Sequence, residues 1–117
     1  MVVLEGGCSP AWQDEVSDWL VGSGCLYMMA WGPGCRSWDD SVDWANLTAF
    51  DFADIPDDRF VMTTWHENEP LEEVFWFAGF CAFHGDVDLR STIIVHVASR
   101  DLGDEMLDRF RAAQLRH

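Results

Sequence analysis

The sequence contains no lysine. Its basic residues are 7 arginines, which stand against 21 Asp and Glu in a chain of 117 residues. The formal net charge is therefore -14. Nucleic acids and anionic membrane surfaces are bound through clusters of Lys and Arg, so we expect the protein to bind neither of them.

Long hydrophobic runs are absent as well. The longest apolar stretch, residues 74–83, has about half the length that a membrane-spanning helix needs. The first residues show no cationic region followed by an apolar one, as a secretory signal would. We therefore expect a cytoplasmic protein. Its cysteines form no CxxC pair and are expected to be free thiols; they are Cys8, Cys25, Cys35 and Cys81.

Apolar residues, in contrast, make up 49% of the chain and include 7 Trp and 8 Phe. This is enough material for one hydrophobic core, while the length is too small for two. No internal repeat, low-complexity stretch or linker divides the sequence. We expect a single domain over residues 1–117.

Short apolar runs alternate with helical periodicity along the chain. Strands are predicted at residues 2–5, 25–31, 60–65 and 92–98. Helices are predicted to begin at Ser9-Pro10, Ser37, Pro70 and Asp101, and the third of them is predicted to end near His84. The order βαβαβαβα favours a three-layer α/β/α sandwich with a mostly parallel sheet of about four strands. A flavodoxin-like strand order, 2-1-3-4, is our first choice, and a thioredoxin-like arrangement is the second.

Polar side chains that follow the strands are the candidates for catalysis. Cys35 precedes a predicted helix and His66 ends a predicted strand, so they could act as nucleophile and base. A small enzyme or a ligand-binding or metal-binding domain would use the strand-end cluster of Cys35, Asp39, Asp40, His66 and Glu67. The alternative is structural, with the thiol packed in a loop and the carboxylates serving helix starts. No HExxH, EF-hand or Cys/His spacing is present, so we expect neither a metal nor another cofactor.

The predicted third helix carries two apolar stripes. One is the core stripe, and the other, opposite to it, consists of Trp76, Phe80 and Phe83 at spacings i, i+4 and i+7. Either neighbouring segments cover this second stripe or it is a protein–protein contact, because exposed aromatic patches usually mark interfaces. In the simplest interface, the helix would form a two-fold homodimer.

The negative charge is distributed unevenly. Residues 1–89 contain 17 acidic residues against Arg36 and Arg59, and a dense part of this charge lies at Asp39, Asp40 and Asp43. A field of this sign steers a basic partner towards the surface. We therefore favour a non-enzymatic interaction protein that binds a basic protein, such as an inhibitor, an immunity protein or an antitoxin-like protein. The alternative is that the charge only keeps the protein soluble.

Three segments of the sequence resemble a known group of proteins. They are residues 25–32 (CLYMMAWG), 37–47 (SWDDSVDWANL) and 54–67 (DIPDDRFVMTTWHE). In these segments the chain resembles short bacterial proteins that are described only as a domain of unknown function. The likeness covers roughly residues 8–98. It implies a bacterial origin and a compact α/β domain, and it assigns a role to no residue.

Overall fold

The computed structural model describes residues 1–115, in which four strands alternate with four helices. The strands are β1 (Val2–Leu4), β2 (Tyr27–Trp31), β3 (Met62–His66) and β4 (Val95–Val97). The helices are α1 (Pro10–Gly22), α2 (Arg36–Ala49), α3 (Leu71–Phe80) and α4 (Gly103–Gln114), with a 3-10 turn at Asp57–Arg59 before β3. The predicted α/β sandwich is confirmed.

All strands are parallel and lie in the order β3-β2-β1-β4. This order differs from the predicted flavodoxin-like order, in which β3 would lie beside β1. It also differs from a thioredoxin-like sheet, since every pairing is parallel. The connections from β1 to β2 and from β2 to β3 run in the same direction across the sheet, so β3 pairs with β2. The chain then crosses back over the sheet, and β4 pairs with the free side of β1. Periodicity identifies strands but does not show which edge the next strand will join.

The helices form two layers. Right-handed crossovers place α1 and α2 together on one face of the sheet, and the reversed direction after β3 places α3 and α4 on the other. The side chains of β1 alternate accordingly. Val2 and Leu4 pack in the core beneath α1 and α2, and Val3 packs in the core beneath α3 and α4. Both faces of β1 are therefore buried.

Several helix ends and strand ends differ from the prediction. The Ser9 cap is confirmed, because its Oγ accepts a hydrogen bond from the Trp12 N–H at 3.2 Å. The expected Ser37 cap is wrong: α2 begins at Arg36, and the Ser37 hydroxyl donates to the Gly34 carbonyl instead. Strand β4 is shorter than predicted because β1, with which it pairs, offers just three residues for pairing.

Two expectations about the whole chain can be compared with the described residues. Within residues 1–115, no helix combines the length and the apolar character that crossing a membrane requires. All four cysteines are free, with Cys8 exposed and Cys35 buried.

Candidate functional site

The point where the connections diverge lies between β1 and β4, and a histidine–carboxylate pair occupies it. His96 on β4 donates from Nε2 to the carboxylate of Glu5 at 2.7 Å, and the Glu5 N–H donates to the carbonyl of Val97 at 2.9 Å. Doubly wound folds bind phosphates at this crevice through backbone N–H groups. Here Glu5 places negative charge at that position, which disfavours an anionic ligand.

Cys35 precedes α2 with its side chain inside the core between the sheet and the α1–α2 layer. Burial raises the pKa of its thiol. A hydrogen bond from the backbone of His66 lowers this pKa in part, and the negative charge of Glu67 raises it. The thiol is therefore held in its protonated form at neutral pH, which is the less nucleophilic form.

The imidazole of His66 lies on the face of the sheet that α3 covers, opposite to the face where Cys35 is buried. Its Nε2 lies 3.0 Å from the Thr64 hydroxyl, its Nδ1 hydrogen-bonds the carboxylate of Glu69, and its ring packs on Phe77 of α3 at 5.8 Å between centroids. Both ring nitrogens are thus engaged away from Cys35. The structure does not join the two candidate catalytic side chains, and the carboxylate that contacts His66 is Glu69, not the expected Glu67.

The three aspartates of α2 lie near one another, and one of them contacts the edge of the sheet. Asp43 accepts a hydrogen bond from the Thr63 hydroxyl of β3 at 3.3 Å. Although Asp43 is exposed as a residue, partial burial of its carboxyl raises the pKa, the nearby charge of Asp39 raises it further, and the Thr63 hydrogen bond opposes both. The Oδ1 atom of Asp39 is buried and has no hydrogen-bond partner within residues 1–115, whereas Asp40 is exposed. Negative charge is therefore concentrated on one flank of β3.

Strand β3 forms an open edge of the sheet, which we call the β3 edge. The Met62 N–H donates to the carbonyl of Leu26, and the Gly32 N–H donates to the carbonyl of His66, so these backbone groups face β2. Backbone direction alternates along a strand, so the N–H and C=O groups of Thr63 and Trp65 face outwards. The Arg36 guanidinium lies 5.7 Å from the ring centroid of Trp65, which is 43% exposed.

Trp76, Phe80 and Phe83, which we call the aromatic surface, lie on the α3 side of the sheet. The rings of Trp76 and Phe80 stack with centroids 5.4 Å apart and 27° between their planes. Phe80 is 51% exposed and Phe83 is 75% exposed. Because α3 ends at Phe80, Phe83 lies in the following loop and not on the helix as predicted.

A buried histidine fixes that loop against the start of β3. His84 accepts a hydrogen bond from the Asp86 N–H at Nδ1 (3.1 Å), so its Nε2 carries the proton and donates to the Phe60 carbonyl (2.8 Å). The loop that carries Phe83 is therefore attached at Phe60, which is itself exposed and lies two residues before β3. His84 thus joins the loop that follows α3 to the start of the β3 edge.

The predicted partner-binding residues thus fall into two groups on opposite faces of the sheet. The aromatic surface belongs to the α3 layer, and Asp39, Asp40 and Asp43 belong to the α2 layer. The β3 edge lies between them. Sequence reasoning missed this edge and its exposed side chains, Met62 and Trp65. A run of β-forming residues marks a strand, but no sequence signal shows that the strand has a neighbour on one side only.

A metal site and a cavity are the other candidate sites. Within residues 1–115, no three His, Cys, Asp or Glu side chains are grouped so that they could hold a metal ion. A cavity of about 700 Å³ opens at the amino ends of the strands, lined among others by Tyr27, Ile93 and Phe110. It lies at the end of the sheet opposite to Cys35 and His66, so it does not extend the strand-end cluster.

Comparison with known proteins gives a family without a described activity. No curated protein and no solved structure matches the chain. A family model described as a domain of unknown function, DUF7684, matches residues 1–113. The resemblance to a domain of unknown function is confirmed, and the chain belongs to the DUF7684 family.

Proposed function

We propose that this protein is a non-enzymatic interaction domain of the cytoplasm that binds a basic protein partner, as an inhibitor, an immunity protein or an antitoxin does. The observation that carries the proposal is the aromatic surface, where a half-buried Trp76 stacks on Phe80, and Phe80 and Phe83 are exposed. The geometry at Cys35 and His66 adds support, since neither side chain is placed to act on the other.

Aromatic side chains at such positions are effective anchors for a partner. Burying apolar surface contributes roughly 25 cal/mol per Å², and Trp, Tyr and Arg dominate the energetics of measured interfaces. The stacking of Trp76 on Phe80 restricts both rings before binding. Less side-chain entropy is then lost when a partner covers them.

The charge of the surface indicates the chemistry of the partner. Glu73 lies one turn before Trp76 on the same outward side of α3 and is exposed. Each chain carries a net charge of -14, so a second copy meets electrostatic repulsion, whereas a basic protein is attracted. A heterologous complex is therefore favoured over the homodimer through α3.

The proposal is tested by quantitative capture of basic proteins from native lysate with four immobilised proteins. These are the wild type, Trp76→Ser, Phe83→Ser and the control Trp19→Ser, which removes a 53% exposed tryptophan from α1 on the other face. We expect the wild type and the control to retain the same basic protein. Loss of an anchor of about 2 kcal/mol should weaken binding roughly 30-fold in Trp76→Ser and Phe83→Ser.

Two results would contradict the proposal. One is capture that is unchanged by Trp76→Ser and Phe83→Ser, because the aromatic surface would then lie outside the contact. The other is a stable dimer in sedimentation velocity that Trp76→Ser dissociates, because the surface would then be covered by a second copy.

A further inference from the structure

We propose that the β3 edge binds an extended segment of the basic partner as a fifth strand, with basic and apolar side chains alternating along that segment. This inference rests on the proposed function and names its binding mode. It combines three observations on β3: outward backbone groups, an acidic flank and an apolar flank.

The backbone of the β3 edge can pair with an added strand. Thr63 and Trp65 direct their N–H and C=O groups away from β2, and β3 has five residues. Natural proteins protect such edges with Lys, Pro, bulges or very short strands. Residues 62–66 contain neither Lys nor Pro, and their register with β2 is continuous. The other edge strand, β4, has only three residues and is protected by its length.

The two sides of the β3 edge differ in chemistry. On the α2 side lie the carboxylates of Asp39 and Asp43 together with the exposed ring of Trp65. Among residues 1–115, the buried Oδ1 of Asp39 has no hydrogen-bond partner. On the α3 side lies Met62, which is 41% exposed, and the strand is preceded by the exposed Phe60, whose carbonyl is bound by His84. Side chains of an added strand alternate between these sides. Arg or Lys therefore fits one set of positions and apolar residues fit the other.

A second copy of the chain is a poor occupant of this edge. Asp57 and Asp58 precede β3, and Glu67 and Glu69 follow it. Pairing of two β3 strands would bring these carboxylates close to one another or to Asp43 of the other copy. Like charges placed opposite each other destabilise strand pairs, so a basic segment is favoured.

The test uses a seven-residue peptide in which Val and Arg alternate, with Val at both ends, acetylated and amidated. Two further versions carry backbone N-methyl groups, either on all Arg residues or on all Val residues. Only one of these sets directs its N–H groups to β3, so N-methylation of that set alone should reduce affinity at least tenfold. N-methylation of Arg is the damaging change for an antiparallel segment, and N-methylation of Val is the damaging change for a parallel one.

Two further measurements locate the site. In amide hydrogen exchange by NMR, saturating peptide should slow Thr63 and Trp65, whose N–H groups face outwards, and leave Met62 unchanged. Asp43→Asn should weaken binding about tenfold, while Asp18→Asn, which makes the same charge change at an exposed site on α1, should weaken it less than twofold.

The outcomes separate this inference from the proposed function. Equal affinity of both N-methylated peptides, or equal effects of Asp43→Asn and Asp18→Asn, would overturn pairing at the β3 edge. So would a complex with the captured basic protein in which Thr63 and Trp65 keep their free exchange rates. In each case the proposed function stands if Trp76→Ser and Phe83→Ser still weaken capture, and it fails on its own if neither variant changes capture.

Discussion

A Cβ atom added to Gly32 would lie 2.0 Å from the carbonyl oxygen of Leu4. Gly32 also has a φ of 108°, a backbone conformation that L side chains rarely adopt. The loop between β2 and α2 therefore passes directly against the carboxyl end of β1. It brings Cys35 into the core beneath α2, and no residue other than glycine allows this approach.

We predict that Gly32→Ala lowers the free energy of unfolding by about 2–4 kcal/mol, since strained φ and backbone displacement add. Gly34→Ala is the matched control, because Gly34 also has a positive φ, 77°, but its Cβ would meet nothing within 4 Å. It should cost only about 1 kcal/mol. Urea denaturation measures both values, and equal losses would show that the approach to Leu4 is relaxed in solution.

Cys8 and Cys35 should differ strongly in reactivity. Cys8 is exposed, while Cys35 is buried and burial raises the pKa of its thiol. We predict that iodoacetamide at neutral pH modifies Cys8 at least 100-fold faster than Cys35, which should react only after denaturation. Peptide mass spectrometry over time measures this ratio. A Cys35 that reacts as fast as Cys8 would restore the thiol as a candidate nucleophile.

His84 is predicted to hold the loop that carries Phe83 at the start of β3. Leucine at this position removes both hydrogen bonds, to Phe60 and from Asp86, and leaves the partly buried Phe60 carbonyl without this donor. We expect a loss of about 1–3 kcal/mol in His84→Leu. His84→Gln, whose amide N–H can still reach Phe60, should lose less. Faster amide exchange around Asp86 in His84→Leu would locate the change, and equal stability of all three proteins would contradict it.

Local patterns in the sequence predicted the elements of this fold well. Ser9 followed by Pro10 identified the start of α1, and alternating apolar runs identified all four strands. The strand order was not predictable, because it depends on which edge β3 joins. The end of α3 was misjudged because Cys81 and Ala82 continue the apolar stripe, although the helix ends at Phe80.

The site was harder to predict than the fold. Because Cys35 and His66 both follow predicted strands, the sequence suggested that they meet at the carboxyl ends of the sheet. Alternation along β3 instead turns the His66 ring to the α3 side, and Thr64 and Glu69 hold it there. The aromatic stripe was visible because helical spacing places Trp76 and Phe80 on one side of α3, although Phe83 lies beyond the helix. Its connection to β3 depends on the buried His84, a contact between residues 24 positions apart that no local pattern encodes.

Asp43 links binding to stability in a way that pH should reveal. Burial and the charge of Asp39 raise the pKa of its carboxyl in the folded protein above the ordinary 3.8. The folded state therefore binds this proton more tightly than the unfolded state does, so the contribution of Asp43 to stability falls as pH rises through the window just above 3.8. At neutral pH the ionised carboxylate therefore lowers the stability of the folded state.

We predict that Asp43→Asn raises Tm at pH 7, since its amide oxygen still accepts a hydrogen bond from the Thr63 hydroxyl. The increase in Tm should disappear as pH falls below that window. Asp18→Asn controls for the general loss of negative charge and should change Tm less at pH 7. If Asp43→Asn instead lowers Tm at pH 7, the ionised carboxylate stabilises the folded state through Thr63, and the prediction is wrong.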